Sequence, residues 1–584
     1  MVTKIQLIDR VDKNKLMEFT ENISKEVRLS GTEEEYRAFQ YAEQQLKEFG
    51  FETSLYKRMA YISHPGETSL RVNGTPYQSI THAMAASTPE EGLHTDLVYV
   101  GDGSEGNWAD VKGKAVVIDG LAIPGAVKAA EQAGAIAAVF ISAEYRHEMI
   151  VSTVWGNPSI NQVNDYPTIA VLSVNFDDGQ KIKEMILNSG ETACEIKAVV
   201  HKFWGEIPTL IAEYKADEPT DEFVLFSGHI DSWHHGAMDN GTANATMLEI
   251  ARIIGEQKPT FRRSLRFAFW SGHSHGRYAG STLYADENWE ELHDNCVMHV
   301  NIDSVGAKES VVLSEGNAMA ETKSVAAKAI KEIAGETYNS SRFGRAGDQS
   351  FWGPGVPSLL MGLSEQKPMN TPAMEAFSKL FGDGKGGGFG WWWHTTEDTL
   401  DKISPEFLQR DCKIYLSILW DLCTSRLLEV NQLNAIKEIN SYLDQYHEAM
   451  PNHKGLAETK KRVEGLKELI RQVEDIVKTA ENLTDCQAEE YNRWNIRVSK
   501  GLVRLNYVNE DEFNHDSALA QPPLPLLAVA LKFKSVNSDM ARFAIENTLT
   551  RNTNKFNFIL RGLICSTEEY LGRIKEVKSK VSSI

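Results

Sequence analysis

Residues 223–257 read FVLFSGHIDSWHHGAMDNGTANATMLEIARIIGEQ, a strand-to-helix unit whose first half carries no polar alternation. A run such as FVLFSG has no solvent-facing side, so both of its faces must be covered, as in a central strand of a parallel sheet. The pattern recurs downstream. SLRFAFW and CVMHVNIDSVG read as further apolar strands, and SHGRYAGSTLYADENW between them as a helix. The class implied is α/β: a mixed, largely parallel sheet covered by helices.

A chain of 584 residues is too long for one hydrophobic core. Its texture changes twice. RLSGTEEEYRAFQYAEQQLKEFGFE places Tyr36, Phe39, Ala42 and Leu46 at helical spacing and stops at Gly50. From about Thr81 to Val200 short β-like runs (LVYVGDG, AVVIDG, AAVFISA, TIAVLS) alternate with Gly, Asp and Pro. After about Ser404 the chain is helical almost throughout, with Leu466, Ile470, Val473 and Ile476 on one stripe and PPLPLL at 522–527 as a break. The division expected is 1–80 with 201–404 as one domain, 81–200 as an insert, and 405–584 as a helical domain.

The net charge of −20 disfavours nucleic acid as a partner, because phosphate binding needs a surplus of Lys and Arg. Six scattered cysteines without a CxxC pair read as reduced, buried thiols. The opening MVTKIQLIDRVDKNK has no uninterrupted apolar h-region, and no stretch approaches a membrane span, so no membrane role and a cytoplasmic location are expected.

GHIDSWHHGAMDNG is the strongest chemical signal. His229 and Asp231, two apart on a strand, point to one face at the carboxyl end, where open α/β sheets place their ligands. A neutral imidazole binds a divalent metal, and a nearby carboxylate fixes its tautomer. Asp239 follows in a turn-like DNG, Asp303 ends the next apolar strand, and His394 lies in WWWHTTEDTL. Taken singly, each has an ordinary alternative: a buried strand-end histidine, turn and cap aspartates, a histidine packed among tryptophans. Together they form an N/O donor set suited to zinc, with manganese, cobalt or iron also compatible.

The order His-x-Asp, Asp-Asn, Phe-Trp-Ser-Gly, Asn-x-Asp and His-Thr-x-Glu-Asp-Thr resembles the M28 family of zinc aminopeptidases and carboxypeptidases, above all its glutamate carboxypeptidase and transferrin receptor branch. The resemblance implies a protease-associated insert at 81–200 and a dimerisation domain in the helical tail, hence a homodimer. It implies that His229, Asp239 and Asp303 hold one metal. Asp239 then bridges to a second, completed by His394 and a glutamate, while Asp231 supports His229. A glutamate takes the proton of the metal-bound water.

The chain departs from that pattern where the family carries a Glu-Glu pair. SGHSHGRYAGS has His273 and Ser274 at those positions and His275 next. His273 or His275 replaces the ligand and His273 serves as base; or one metal binds; or the site is vestigial. His234 and His235 add imidazoles nearby, each of which also fits a solvent-facing or structural place. Arg342 and Arg345 in SSRFGRAGDQSF fit a grip on a substrate carboxylate, or plain surface charge. GDGKGGGFG at 382–390 reads as a lid, with Trp391, Trp392 and Trp393 as pocket wall or core; Trp393 is taken as substrate-binding. The leading expectation is hydrolysis of an amide bond in a short peptide or acylated amino acid. The alternatives are a repurposed mononuclear hydrolase or lyase, and a non-catalytic dimeric scaffold.

Overall fold

A computed structural model describes residues 2–581 except 104–107, 191, 314–315, 361, 382–388 and 479–482. Most of the glycine run at 382–390 therefore lies outside the described residues.

Two very long strands, β1 (Glu52–Val72) and β2 (Ala193–Tyr214), pair antiparallel along nearly their whole length, from Glu52 opposite Glu213 to Val72 opposite Cys194. This ribbon joins two bodies. At its 52/213 end β2 pairs with β4 (Ser264–Trp270), which lies parallel to β3 (Phe223–His229). Next come β5 (Cys296–Asn301) and β6 (Ser358–Leu360), both parallel to β3. Every residue of β3 is buried, as a strand without polar alternation requires. Helices cover the sheet. α1 (Glu33–Glu48) is capped by Thr32 and buries Glu35, Ala38, Phe39, Ala42 and Leu46, while Tyr36 stays half-buried. α2 (Ala243–Gln257) follows the DNG turn and buries most of its length.

At its other end the ribbon enters the insert, where strands 93–99, 115–119, 137–141 and 170–174 run parallel in that order. Their alternate residues serve two cores. Ala115, Val117, Val139 and Leu172 form a core of the insert alone. Val116, Ile118, Ala138 and Phe140 face the other way into a core continuous with the main sheet. The insert is thus packed onto the main domain by one whole sheet face.

The tail departs from the expected boundary. α3 (Pro405–Thr424) puts Leu408, Tyr415, Leu419 and Leu422 into the main core, so it completes the sheet-bearing domain. A separate core begins near Ala435 and is built by α4 (Gln432–Ala449), α5 (Lys454–Lys478), α6 (Asp485–Tyr507) and α7 (Asp539–Val581). Leu466, Ile470 and Val473 are fully buried in it, with Ile476 packed at its margin. Leu524 and Leu527 of the PPLPLL break plug the same core. All six cysteines are free; Cys194, Cys296, Cys412 and Cys423 are buried as expected, whereas Cys486 and Cys565 are exposed. No helix among the described residues is long and apolar enough to cross a membrane.

Candidate metal centre

Because β3, β4 and β5 are parallel, their carboxyl ends meet on one edge, bringing together His229, the 271–275 loop and Asp303. His229 Nε2 lies 3.3 Å from Asp239 Oδ1 and 3.6 Å from Asp303 Oδ1, and His394 Nε2 lies 3.0 Å from Asp239 Oδ2. Asp239 therefore stands between the two histidines, one oxygen toward each. The donor atoms of His229, His273 and Asp303 all fall within 4.8 Å of one another.

The far side of each imidazole is tied down. His229 Nδ1 meets the Asp231 carbonyl at 2.9 Å, His273 Nδ1 meets Asp348 Oδ2 at 2.9 Å, and His394 Nδ1 meets the Glu148 carbonyl at 2.6 Å. A ring that donates from Nδ1 leaves Nε2 as a lone-pair donor, the tautomer a metal requires. His229 Nε2 and Asp239 Oδ1 are buried and make no hydrogen bond, an arrangement costly for two polar atoms unless a ligand shared between them is present. Burial opposes the charged form of Asp239, yet the facing imidazoles of His229 and His394 outweigh it and hold the carboxyl below the usual carboxylate range. Buried carboxylates and imidazole nitrogens converging on one place fit a divalent cation in charge and in donor type.

Asp231 sits behind His229, its carboxylate 3.6 Å from the ring. It accepts from Ser30 Oγ and from the backbone N–H groups of His273 and Ser274, so the loop that follows β4 is clamped to the strand beside it. Two further supports have no signature in the sequence. Arg28, fully buried, donates to the carbonyls of Ile230, His235 and Gly236 and stitches the loop after His229. Asp398 accepts from the N–H groups of Met238 and Asp239, and its burial pushes its pKa up to about 7. His394 itself takes a left-handed backbone, φ 60°, which a non-glycine residue holds only under constraint from its surroundings.

Three of the residues singled out above lie elsewhere, and a fourth, Trp393, adjoins the site in another role. His275 points away from the donor group: its ring contacts Trp233 and His64, its Nδ1 is 3.0 Å from Ser30 Oγ, and burial drops its pKa to about 3. Arg342 spends its guanidinium on Glu438 and Asn506 of the helical domain. Arg345 is buried over the Trp155 ring with Asp516 at 3.7 Å. Both therefore fasten the main domain to the tail, the place expected for neither. Trp393 is 8% exposed, lies in the main core and stacks on His394 at 3.5 Å, so it props a histidine where a pocket wall was expected. Of the other two histidines, His234 is 3.8 Å from Glu148 Oε1 and His235 bonds the Ser24 carbonyl.

The chain is similar to known proteins in sequence and in fold. Residues 209–418 match the model of peptidase family M28, and residues 86–182 match the PA domain. The chain is 35% identical to the aminopeptidase NAALADL1 of Rattus norvegicus over 122 residues, which is 20% of this chain but only 16% of that protein. It is 26% identical to the aminopeptidase YwaD of Bacillus subtilis (strain 168) over 342 residues, 56% of this chain and 66% of that one. The solved structure of BSAP, a zinc aminopeptidase from Bacillus subtilis, shares the fold with a TM-score of 0.52 at 20% identity, covering 72% of this chain and 95% of that one. Residues 209–418, with the donor cluster at their sheet edge, are thus a peptidase family M28 domain, and the insert between the paired long strands carries a PA domain.

Proposed function

We propose that the chain is a metal-dependent hydrolase, with zinc as its metal, that cleaves an amide bond in a short peptide or an acylated amino acid. The observation that carries this reading is the pair of buried, unpartnered donor atoms, His229 Nε2 and Asp239 Oδ1, set 3.3 Å apart on the ligand-binding edge of the sheet. The aminopeptidase names of its relatives support the substrate class. His229, Asp239 and Asp303 would hold the ion, with His394 on the far oxygen of Asp239. A bound divalent ion polarises the scissile carbonyl and lowers the pKa of a water. The chain's own part is to fix that geometry: Asp231 and Arg28 hold the His229 loop, and Asp398 holds the Asp239 turn. The described residues offer one group of three donors within reach of a single position, His229, His273 and Asp303, with Asp239 beside His229.

The test is metal content with aminoacyl and dipeptide turnover. His229→Ala and Asp239→Ala are each expected to lose bound metal and activity, roughly 10³-fold or more in rate. A wild-type chain that retains no divalent ion overturns the proposal.

We also propose a homodimer formed through the helical tail, where Met540, Phe543 and Phe558 on α7 are 83%, 62% and 67% exposed. Met540 and Phe543, one turn apart on α7, give an exposed apolar spot at which a second copy could pack. Sedimentation at twice the chain mass is expected, reverting to monomer in a Phe543→Glu/Phe558→Glu variant; a monomeric wild type refutes it.

A further inference from the structure

We propose that Asp348 and His273 form one metal-binding arm, with His273 ligating through Nε2 and Asp348 acting as its positioning residue. The inference rests on the metal reading above and assigns the position left open where glutamates are absent. His273 leaves the carboxyl end of β4 directly beside His229, and its ring stacks on the His229 ring with centroids 3.7 Å apart. Its donor atom falls in the same group as those of His229 and Asp303. Its backbone N–H is 3.3 Å from Asp231 Oδ1, so the loop bearing it is anchored to the strand that carries His229.

Asp348 supplies the orientation. It is 1% exposed and its Oδ2 lies 2.9 Å from His273 Nδ1, while its Oδ1 is buried without a partner. A buried carboxylate bonded only to one imidazole fixes that ring's tautomer and aims its other nitrogen. This is the relation by which an outer carboxylate raises the basicity of a metal-bound histidine. The anchors of His229 and His394 are backbone carbonyls, which any residue supplies. His273 alone of the three is anchored by a side chain, so a single substitution can release it. His275, two residues on, is packed behind Asp231 and is not an alternative ligand.

The experiment uses the full chain, stripped of metal and reloaded with Zn²⁺ or Co²⁺. Zinc affinity is read by competition with a chromophoric chelator, and ligand change by the visible spectrum of the cobalt form. Asp348→Asn, nearly isosteric, is expected to weaken zinc affinity roughly 10- to 100-fold, the effect of losing such a partner. His273→Ala is expected to weaken it at least as much and to shift the cobalt spectrum. The double variant is expected to be no weaker than His273→Ala, since Asp348 acts through the ring. The melting temperature of each metal-free variant separates ligation from folding. Asp348→Asn that lowers this temperature but leaves affinity and spectrum unchanged makes Asp348 structural and overturns the proposal. Unchanged affinity in His273→Ala overturns it as well, with the metal reading intact. Wild type that binds neither ion removes both.

Discussion

Glu321 shows at the scale of one residue what a buried carboxyl costs when no cation is close enough to offset its burial. It is 1% exposed, its Oε2 makes no hydrogen bond, and burial, reinforced by Glu438, pushes its pKa up to about 7. A carboxyl whose pKa is higher in the folded chain than in the unfolded one stabilises the fold while protonated. That contribution is complete below the unfolded value and is lost as pH climbs toward 7. Denaturant titrations should therefore show stability falling by up to about 3 kcal/mol between pH 4.5 and 7.5 from this group. Glu321→Gln, which keeps the shape and removes the charge, should flatten that part of the profile and leave the variant more stable at pH 8. An unchanged slope in the variant would mean that the protein relieves Glu321 by some other route. The aspartates of the metal centre belong to a different regime: Asp231 and Asp239 are equally buried, but histidines face them and keep them ionised.

Among the elements, strands and their carboxyl ends were legible from the sequence, while the paths of loops were not. FVLFSGH has one apolar solution, a fully covered central strand, and its final histidine must then lie on the ligand edge. Asp303 and the start of the 271–275 loop follow by the same rule. The helix over 454–478 was legible for the same reason, since its apolar stripe has one buried face. What the letters could not give was the aim of side chains between elements. His273 and His275 are neighbours of identical chemistry, yet one faces Asp348 and the other Ser30, because Asp231 grips the intervening backbone. Arg342 and Arg345 look like surface charge until the tail is docked against them. The 404/405 boundary failed because α3 is as helical as the tail, and only its packing shows which core it serves. Arg28 and Asp398 act on backbone groups far away in sequence, which no local motif records.

Taken as a whole molecule, the insert touches the candidate metal centre through His394. The Glu148 N–H donates to the His394 carbonyl at 2.9 Å, and the Glu148 carbonyl takes the His394 ring at 2.6 Å. Residues 246 apart in sequence are thereby paired across two domains. With one insert sheet face buried in the shared core, this pairing is a fixed contact. Any ion that binds His394 should tighten the insert loop as well as the sheet edge, since a ligand that binds only the folded state stabilises whatever its site holds together. The gain is about 4 kcal/mol at 1,000 times the dissociation constant. Hydrogen exchange measured with and without Zn²⁺ tests the coupling. Slower exchange is expected at the Glu148 amide together with the amides of Met238 and Asp239, which bond to Asp398. Protection confined to residues 209–418, with Glu148 unchanged, would show that the insert only rests against the site and that His394 keeps its orientation without it.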